Sequence, residues 1–259
     1  MKIEPVCGLI ITLKENNIMN QTIQELFDRK SVRVFEDKKI LPEDKALIIE
    51  AAAMAPTAGN QQLYTIIDVT DQALKEKLVV TCDNQPFIAE ADLVLIFCAD
   101  CKKWHDGFKS AGCEPRDPGV GDLLLAVSDA NIAAQNAVTA AWSLGIGSCY
   151  IGDIMENCEE QRKLLNLPKY VFPAAMLVFG YPTNQQKERV KPVRANAQYI
   201  VHENGYREMN NADLEALFEK GKGQNTYENY MKAFCNRKYN SDFSREMSRS
   251  VGEYLKDFF

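Results

Sequence analysis

Residues 122–144, DLLLAVSDANIAAQNAVTAAWSL, decide the fold of this 259-residue chain. Leu124, Leu125, Val127, Ile132, Ala133, Ala134, Ala137, Val138, Ala140, Ala141 and Leu144 spread apolar side chains over most of a helical circumference, which requires cover on most sides. The segment is therefore expected to be one long helix at the centre of the fold or at a subunit interface. Gly145 supplies its stop.

Around this helix the sequence alternates between helical and strand patterns. Thr22 to Lys30 carries apolar residues at 23, 26 and 27, and Pro42 to Met54 has proline in the first turn followed by acids. Gln72 to Val80 is a further helix. Leu63 to Val69, Ala91 to Ala99 and Ala174 to Phe179 are short, partly β-branched apolar runs that suit strands. Strands separated by helices predict an α/β or α+β sandwich rather than a bundle. Residues 100–120 lack periodicity and contain Gly107, Gly112, Pro115, Pro118 and Gly119, so they predict a mobile loop or lid. Helical patches recur at 211–219, 226–236 and 243–257. No internal repeat or low-complexity segment occurs.

Apolar residues make up 46% of the chain, enough for a substantial core, and the formal net charge is -6. That balance argues against a nucleic-acid binder, which needs a basic face. Eight cysteines fit no disulfide framework and no signal peptide is evident, which predicts reduced thiols in a cytoplasmic protein. Val6 to Leu13 is too short to span a bilayer. The first eighteen residues share no pattern with the rest of the chain, so Met19 is read as the real start and 1–18 as a non-native or disordered extension.

Against the acidic background, Arg29-Lys30-Ser31-Val32-Arg33 gathers three cations and a hydroxyl beside a helix end. Guanidinium forks match the oxygens of a phosphate monoester, so Arg29, Ser31 and Arg33 predict an anion site; a solvated surface cluster is the alternative for the same run. Lys191 and Arg194 form a second cationic group. Gly59 and Gly152 permit close backbone approach to a flat ligand, and Asn60, Gln62 and Gln85 offer both donors and acceptors to the edge of a flavin or nucleobase. Each of these has a plain structural reading as loop punctuation.

Cys98-x-x-Cys101 with His105 and Cys113 lacks a second paired motif, so no metal site is assigned. Cys149 reads as a small buried thiol and His202 as a structural hydrogen-bonding residue after an expected Tyr199–Val201 strand. No Gly-x-Gly-x-x-Gly opens a βαβ unit and no P-loop is present, which disfavours those nucleotide-binding folds.

From about Thr22 onward the chain resembles the FMN-dependent nitroreductase family, and within it the NADPH-type flavin reductase and oxygen-insensitive nitroreductase subgroup. The resemblance rests on Arg-Lys-Ser-Val-Arg-x-Phe at 29–35, the Pro56–Gln62 loop, Asn84-Gln85-Pro86-Phe87, Ala133 to Ala137, Ser143 to Gly147, Tyr150-Ile151-Gly152, Phe179 to Pro182 and Val201 to Asn204. It implies an α+β fold: a three-layer α/β/α sandwich with a mainly antiparallel sheet and a long central helix, in a domain-intertwined homodimer. Residues 19–210 would form the FMN-binding domain and 211–259 a helical extension packing on the dimer.

The same resemblance implies tightly bound FMN at the interface, with NADPH or NADH as reductant. Arg29, Lys30, Ser31 and Arg33 would bind the phosphate and the pyrimidine side of the ring, and Lys191 and Arg194 the phosphate. Pro56, Thr57, Ala58, Asn60 and Gln62 would come from the second copy, with Gln85 nearby. Tyr150, Ile151, Gly152 and Asp153 would lay their backbone against the flavin. Two departures stand out: Asp153 replaces a second glycine, and Lys191-Pro-Val-Arg194 is one residue longer than the common Lys-Pro-Arg. The implied activity is ping-pong hydride transfer through flavin N5 to nitroaromatics, quinones or free flavin, with no catalytic side chain required. A non-catalytic FMN storage or sensing protein is the alternative, and a dehalogenase or flavin-fragmenting relative a looser one.

Overall fold

The computed structural model describes residues 20–259, so the expectations for 1–18 and for Met19 lie outside the described residues. The chain divides into two compact units, one of Arg29–Arg189 with Asp242–Phe259, the other containing the described residues to Asp28 together with Val190–Ser241.

The larger unit is built on four antiparallel strands, β1 (Tyr64–Asp68), β2 (Leu93–Asp100), β3 (Gly147–Ile151) and β4 (Val171–Gly180), in the order β1-β2-β4-β3. Every residue of β2 and of β4 is buried. Since successive strand residues point to opposite faces, burial without alternation means that both faces of the central pair are covered. The β2–β4 register shifts where Cys98 meets Pro173, whose missing N–H interrupts the ladder.

The long helix runs Val120–Ser143 and packs on β2, β4 and the Pro42–Ala53 helix. Its Ala126, Ala130, Ala133, Ala134, Ala137 and Ala141 are fully buried, and these small side chains allow close approach to the sheet. Elsewhere the core is closed by Asp242–Leu255, whose Tyr254 sets its ring edge-on to Phe172 of β4 at 5.1 Å. The α+β architecture with a mainly antiparallel sheet and a central helix is thus the observed one. Strand and helix ends agree with the sequence pattern to within a few residues for 42–53, 64–68, 72–81, 93–100 and 120–143.

Two expectations fail. Residues 100–120 are not a featureless loop, because Lys102–Ser110 is an α-helix. The backbone N–H groups of Lys102 and Lys103 donate to the Asp100 carboxylate, which satisfies two orphan donors at its start, and Gly107 sits in its interior without ending it. Likewise Tyr199-Ile200-Val201 is not a strand. Ala197–Tyr199 is a single 3-10 turn, and Ile200 and Val201 are exposed, with no neighbouring strand among the described residues to use their β-branched side chains. The sequence pattern also passed over β3, whose flanking glycines read as a turn, and the Cys158–Leu165 helix.

Residues 31–35 run beside the sheet edge. Ser31 bridges Ser148 in parallel, the Val32 N–H donates to the Ser148 carbonyl at 2.9 Å, and Phe35 bridges Pro182. Two glycines make this approach possible: a Cβ on Gly147 would lie 2.5 Å from Val32 Cγ2, and one on Gly180 would lie 2.6 Å from the Phe35 ring. Gly147→Ala is therefore expected to destabilise the fold by about 1–3 kcal/mol, the usual cost of overpacking. A urea titration checks this, and adding Val32→Ala should recover part of the loss by removing the clashing methyls.

In the smaller unit, Gln21–Asp28 is joined, after the intervening chain, by the Asn211–Lys222 and Tyr227–Lys238 helices. Phe218, Tyr227, Tyr230 and Phe234 stack between the latter two.

Candidate functional site

The 29–33 segment brings three of the expected anion-binding groups, Arg29, Ser31 and Arg33, close to one strand. Burial pushes the Cys149 thiol of β3 upward, while the nearby Arg33, Ser31 and Arg29 pull it the other way, so all three groups face the same strand. Arg29 carries a buried Nη1 with no hydrogen-bond partner among the described residues. Burying an unsatisfied guanidinium N–H is unfavourable, so this donor is poised for an acceptor that the described residues do not provide. Lys30 behaves differently: its ammonium donates to the carbonyls of Lys187 and Arg189 at 2.5 and 2.6 Å. That fixes its charge beside the segment.

The Pro56–Gln62 loop is strained and anchored. Gly59, Asn60 and Gln62 all have positive φ (57°, 56° and 50°), an expensive conformation for glutamine in particular. The anchor is Asp129 of the central helix, a residue that the sequence pattern did not flag. It is 3% exposed and accepts from the Thr57 hydroxyl, from the Ala58 N–H at 3.1 Å and from the Leu63 N–H at 3.2 Å. A carboxylate inside an otherwise apolar helix was the one available signal. With the loop so held, Asn60 and Gln62 are exposed and Pro56 lies at the surface.

Gln85 and Asp153 come together, since the Gln85 amide donates to Asp153 Oδ2 at 2.9 Å and to the Cys82 carbonyl at 2.9 Å. Asp153 lies in the 3-10 turn Gly152–Met155 that succeeds Tyr150 and Ile151 of β3. Burial pushes the Tyr150 phenol up to about 12, so it is a neutral donor, and it donates to Gln135 Oε1 at 3.4 Å.

Next along the chain, Glu156 is 5% exposed. Burial first, then the negative charges of Asp153, Asp83 and Glu246, raise its carboxyl from the ordinary 4.5 to about 7. The folded state therefore binds a proton more tightly than the unfolded chain, and Glu156 favours folding at acid pH and loses that contribution as pH rises from about 4.5 through 7. Glu156→Gln should flatten this part of the stability profile, which thermal unfolding across that range reads directly. An unchanged slope would remove Glu156 as the cause.

Lys191 and Arg194 belong to the smaller unit. The Lys191 ammonium donates to the carbonyls of Leu26 and Phe27 at 3.4 and 2.8 Å, where a cation suits the helix C-terminus, and Arg194 is exposed. The Cys98 and Cys101 thiols are buried and pushed up to about 12, which keeps them protonated and unreactive. In the smaller unit the His202 Nδ1 accepts from the Arg207 N–H at 3.0 Å, a structural role. Among the described residues no helix is long and apolar enough to cross a membrane.

Comparison with known proteins places this geometry. Residues 26–181 match the model of the nitroreductase family. The chain is 32% identical over 248 residues to an FMN reductase [NAD(P)H] of Bacillus subtilis, covering 93% of each. It is 38% identical over 189 residues to an oxygen-insensitive NADPH nitroreductase of Salmonella typhimurium, covering 73% of this chain and 75% of that one. The solved NADPH:FMN oxidoreductase of Vibrio harveyi in complex with NAD+ superposes with a TM-score of 0.77 at 26% identity, over 91% of this chain and 98% of the other.

Proposed function

The chain belongs to the nitroreductase family, and from that premise we propose that it is an FMN-dependent NAD(P)H oxidoreductase that reduces nitroaromatics, quinones or flavins. It works as a cytoplasmic homodimer, with the 211–259 extension packed on the dimer and each flavin site drawing on both copies. FMN, when bound, supplies the two-electron chemistry that links oxidation of NAD(P)H to reduction of the acceptor in two separate half-reactions.

The residues fit such a group. The observation that carries the reading is the cationic 29–33 segment beside β3, with a buried Arg29 N–H that has no acceptor among the described residues. Arg29, Ser31 and Arg33 would bind the phosphate and Lys30 would lend positive charge to the pyrimidine side, with Lys191 and Arg194 as further phosphate ligands. Cations fixed there would favour negative charge on the bound group, in the manner of an oxyanion hole. Pro56, Thr57, Ala58, Asn60 and Gln62 of the partner subunit would cover the ring from the other copy, a role supported by the loop that Asp129 anchors. The backbone of Tyr150, Ile151, Gly152 and Asp153 would lie against the ring, and the Gln85–Asp153 hydrogen bond holds that turn.

A visible spectrum tests the proposal. The purified protein should be yellow with about one flavin per chain, bleach on anaerobic addition of NADPH, and recover its colour with menadione. A colourless protein that takes up no FMN sinks the reading, and a yellow one that NADPH cannot bleach points to storage or sensing.

A further inference from the structure

The 3-10 turn Gly152–Met155 and the Cys158–Leu165 helix after it are fastened from behind by the C-terminal helix, Asp242–Leu255. The fully buried Ser250 hydroxyl donates to the Met155 carbonyl at 2.6 Å and accepts from the Cys158 N–H at 2.9 Å. Glu246 Oε1 accepts from the Asn157 N–H at 3.2 Å. Both N–H groups lie where a helix begins and its first donors have no acceptor within it. Asn157 stands in a left-handed conformation, φ 53° and ψ 51°, which only a well-tied neighbourhood sustains, and its side chain donates to the Thr81 carbonyl at 3.0 Å.

Glu156 sits in the middle of this seam. It is buried, and its Oε1 has no hydrogen-bond partner among the described residues. The carboxylates around it come from three elements: Asp153 from its own turn, Asp83 from the chain after the Gln72–Thr81 helix, and Glu246 from the C-terminal helix. Arg249 of that helix is already engaged, with Glu246 at 2.8 Å and Glu159 at 2.9 Å. The adjacent Cys82 thiol is pushed up to about 12 by burial and stays neutral. An ionised Glu156 would thus be a buried anion among anions, whereas the protonated acid is neutral and hydrogen-bonds Asp153.

We propose that Glu156 is a pH-operated latch: while its carboxyl holds a proton the turn stays fastened to the C-terminal helix, and loss of that proton lets the turn, the start of the Cys158–Leu165 helix and residues 246–250 come apart. Opening is confined to this seam, because Tyr254 and Phe258 beyond it are buried in the core. The latch itself needs no cofactor. Its consequence for one rests on the oxidoreductase reading, in which Gly152 and Asp153 of the same turn form a wall of the flavin site.

The direction and size of the effect follow from linkage. In the open seam the Glu156 carboxyl returns to its ordinary 4.5, and in the fastened one it titrates at about 7. The fastened state therefore holds its full advantage below 4.5 and loses it as pH rises through 7. From about pH 5 to about pH 8 the opening equilibrium should rise by roughly 50-fold.

Hydrogen exchange at the Asn157 and Cys158 amides of the purified protein, with whatever flavin it carries, reads this equilibrium once each rate is divided by the intrinsic rate at that pH. Their protection should fall by roughly 50-fold over that range and lie below that of the β2 amides throughout, because the seam opens without the whole unit unfolding. Glu156→Gln keeps the side chain's shape without its charge and should abolish the fall. Ser250→Ala should lower protection at both ends of the range and keep the fall.

A parent protein without the fall, a fall that survives in Glu156→Gln, or protection equal to that of β2 would each overturn the latch. The flavin link is decided separately: saturating FMN should raise protection at both amides in flavin-stripped protein. If FMN binds and leaves them unchanged, the turn is not a wall of its site, and if none binds the functional reading fails. In both cases the comparison of the parent with Glu156→Gln still decides the latch.

Discussion

Asp129→Ala is expected to lower the stability of the folded chain by about 3–5 kcal/mol, a large loss for one substitution. The carboxylate is 3% exposed and is the acceptor for the Thr57 hydroxyl and for two backbone N–H groups, of Ala58 and Leu63. Alanine would leave all three donors without a partner at a site where water has little access, and each orphaned donor costs on the order of 1–3 kcal/mol before relaxation. The loop also holds Gly59, Asn60 and Gln62 at positive φ, so its strain is sustained only while the anchor holds. Asp129→Asn keeps an acceptor oxygen and should cost clearly less, and Thr57→Val, which deletes one of the three donors, less again. Urea denaturation of the three variants gives the order. If the alanine variant loses under about 1 kcal/mol, the loop is not anchored in this way.

That anchor shows where sequence reading stops. The helix at 120–143 and the strands at 64–68 and 93–100 were legible because periodicity and apolar runs are local properties of the chain. The Lys102–Ser110 helix was hidden by Gly107 and four charged residues in nine, and its capping acceptor, Asp100, closes the preceding strand. β3 was obscured by Gly145 and Gly147, although Gly147 is there because Val32 passes over it, a contact between residues 115 positions apart. The cationic segment stood out against an acidic chain. What the pattern could not reveal was the duty of each cation: Lys30 and Lys191 both donate to backbone carbonyls, whereas Arg29 keeps a buried N–H without a partner among the described residues. Charge is written in the sequence, but which charge is already satisfied depends on contacts made over more than 150 residues.

This difference makes Arg29 the most sensitive test of the site. A hydrogen bond to a charged group contributes about 1.5–3 kcal/mol, so Arg29→Ala should weaken FMN binding by about 10- to 100-fold. The accompanying effect on the flavin-free protein separates a ligand-binding arginine from a structural one. A structural arginine stabilises the fold through its own contacts, and its removal lowers the melting temperature. Arg29 instead buries an Nη1 that the described residues leave unsatisfied, so Arg29→Ala should leave the melting temperature of the apoprotein unchanged or raise it. Arg29→Lys should restore little affinity, because a single ammonium cannot reproduce the planar fork that matches phosphate oxygens. Fluorescence titration of FMN into apoprotein, together with thermal unfolding of the same samples, gives both quantities. A variant that melts at lower temperature yet binds FMN as tightly as the parent would move Arg29 out of the site and into the scaffold.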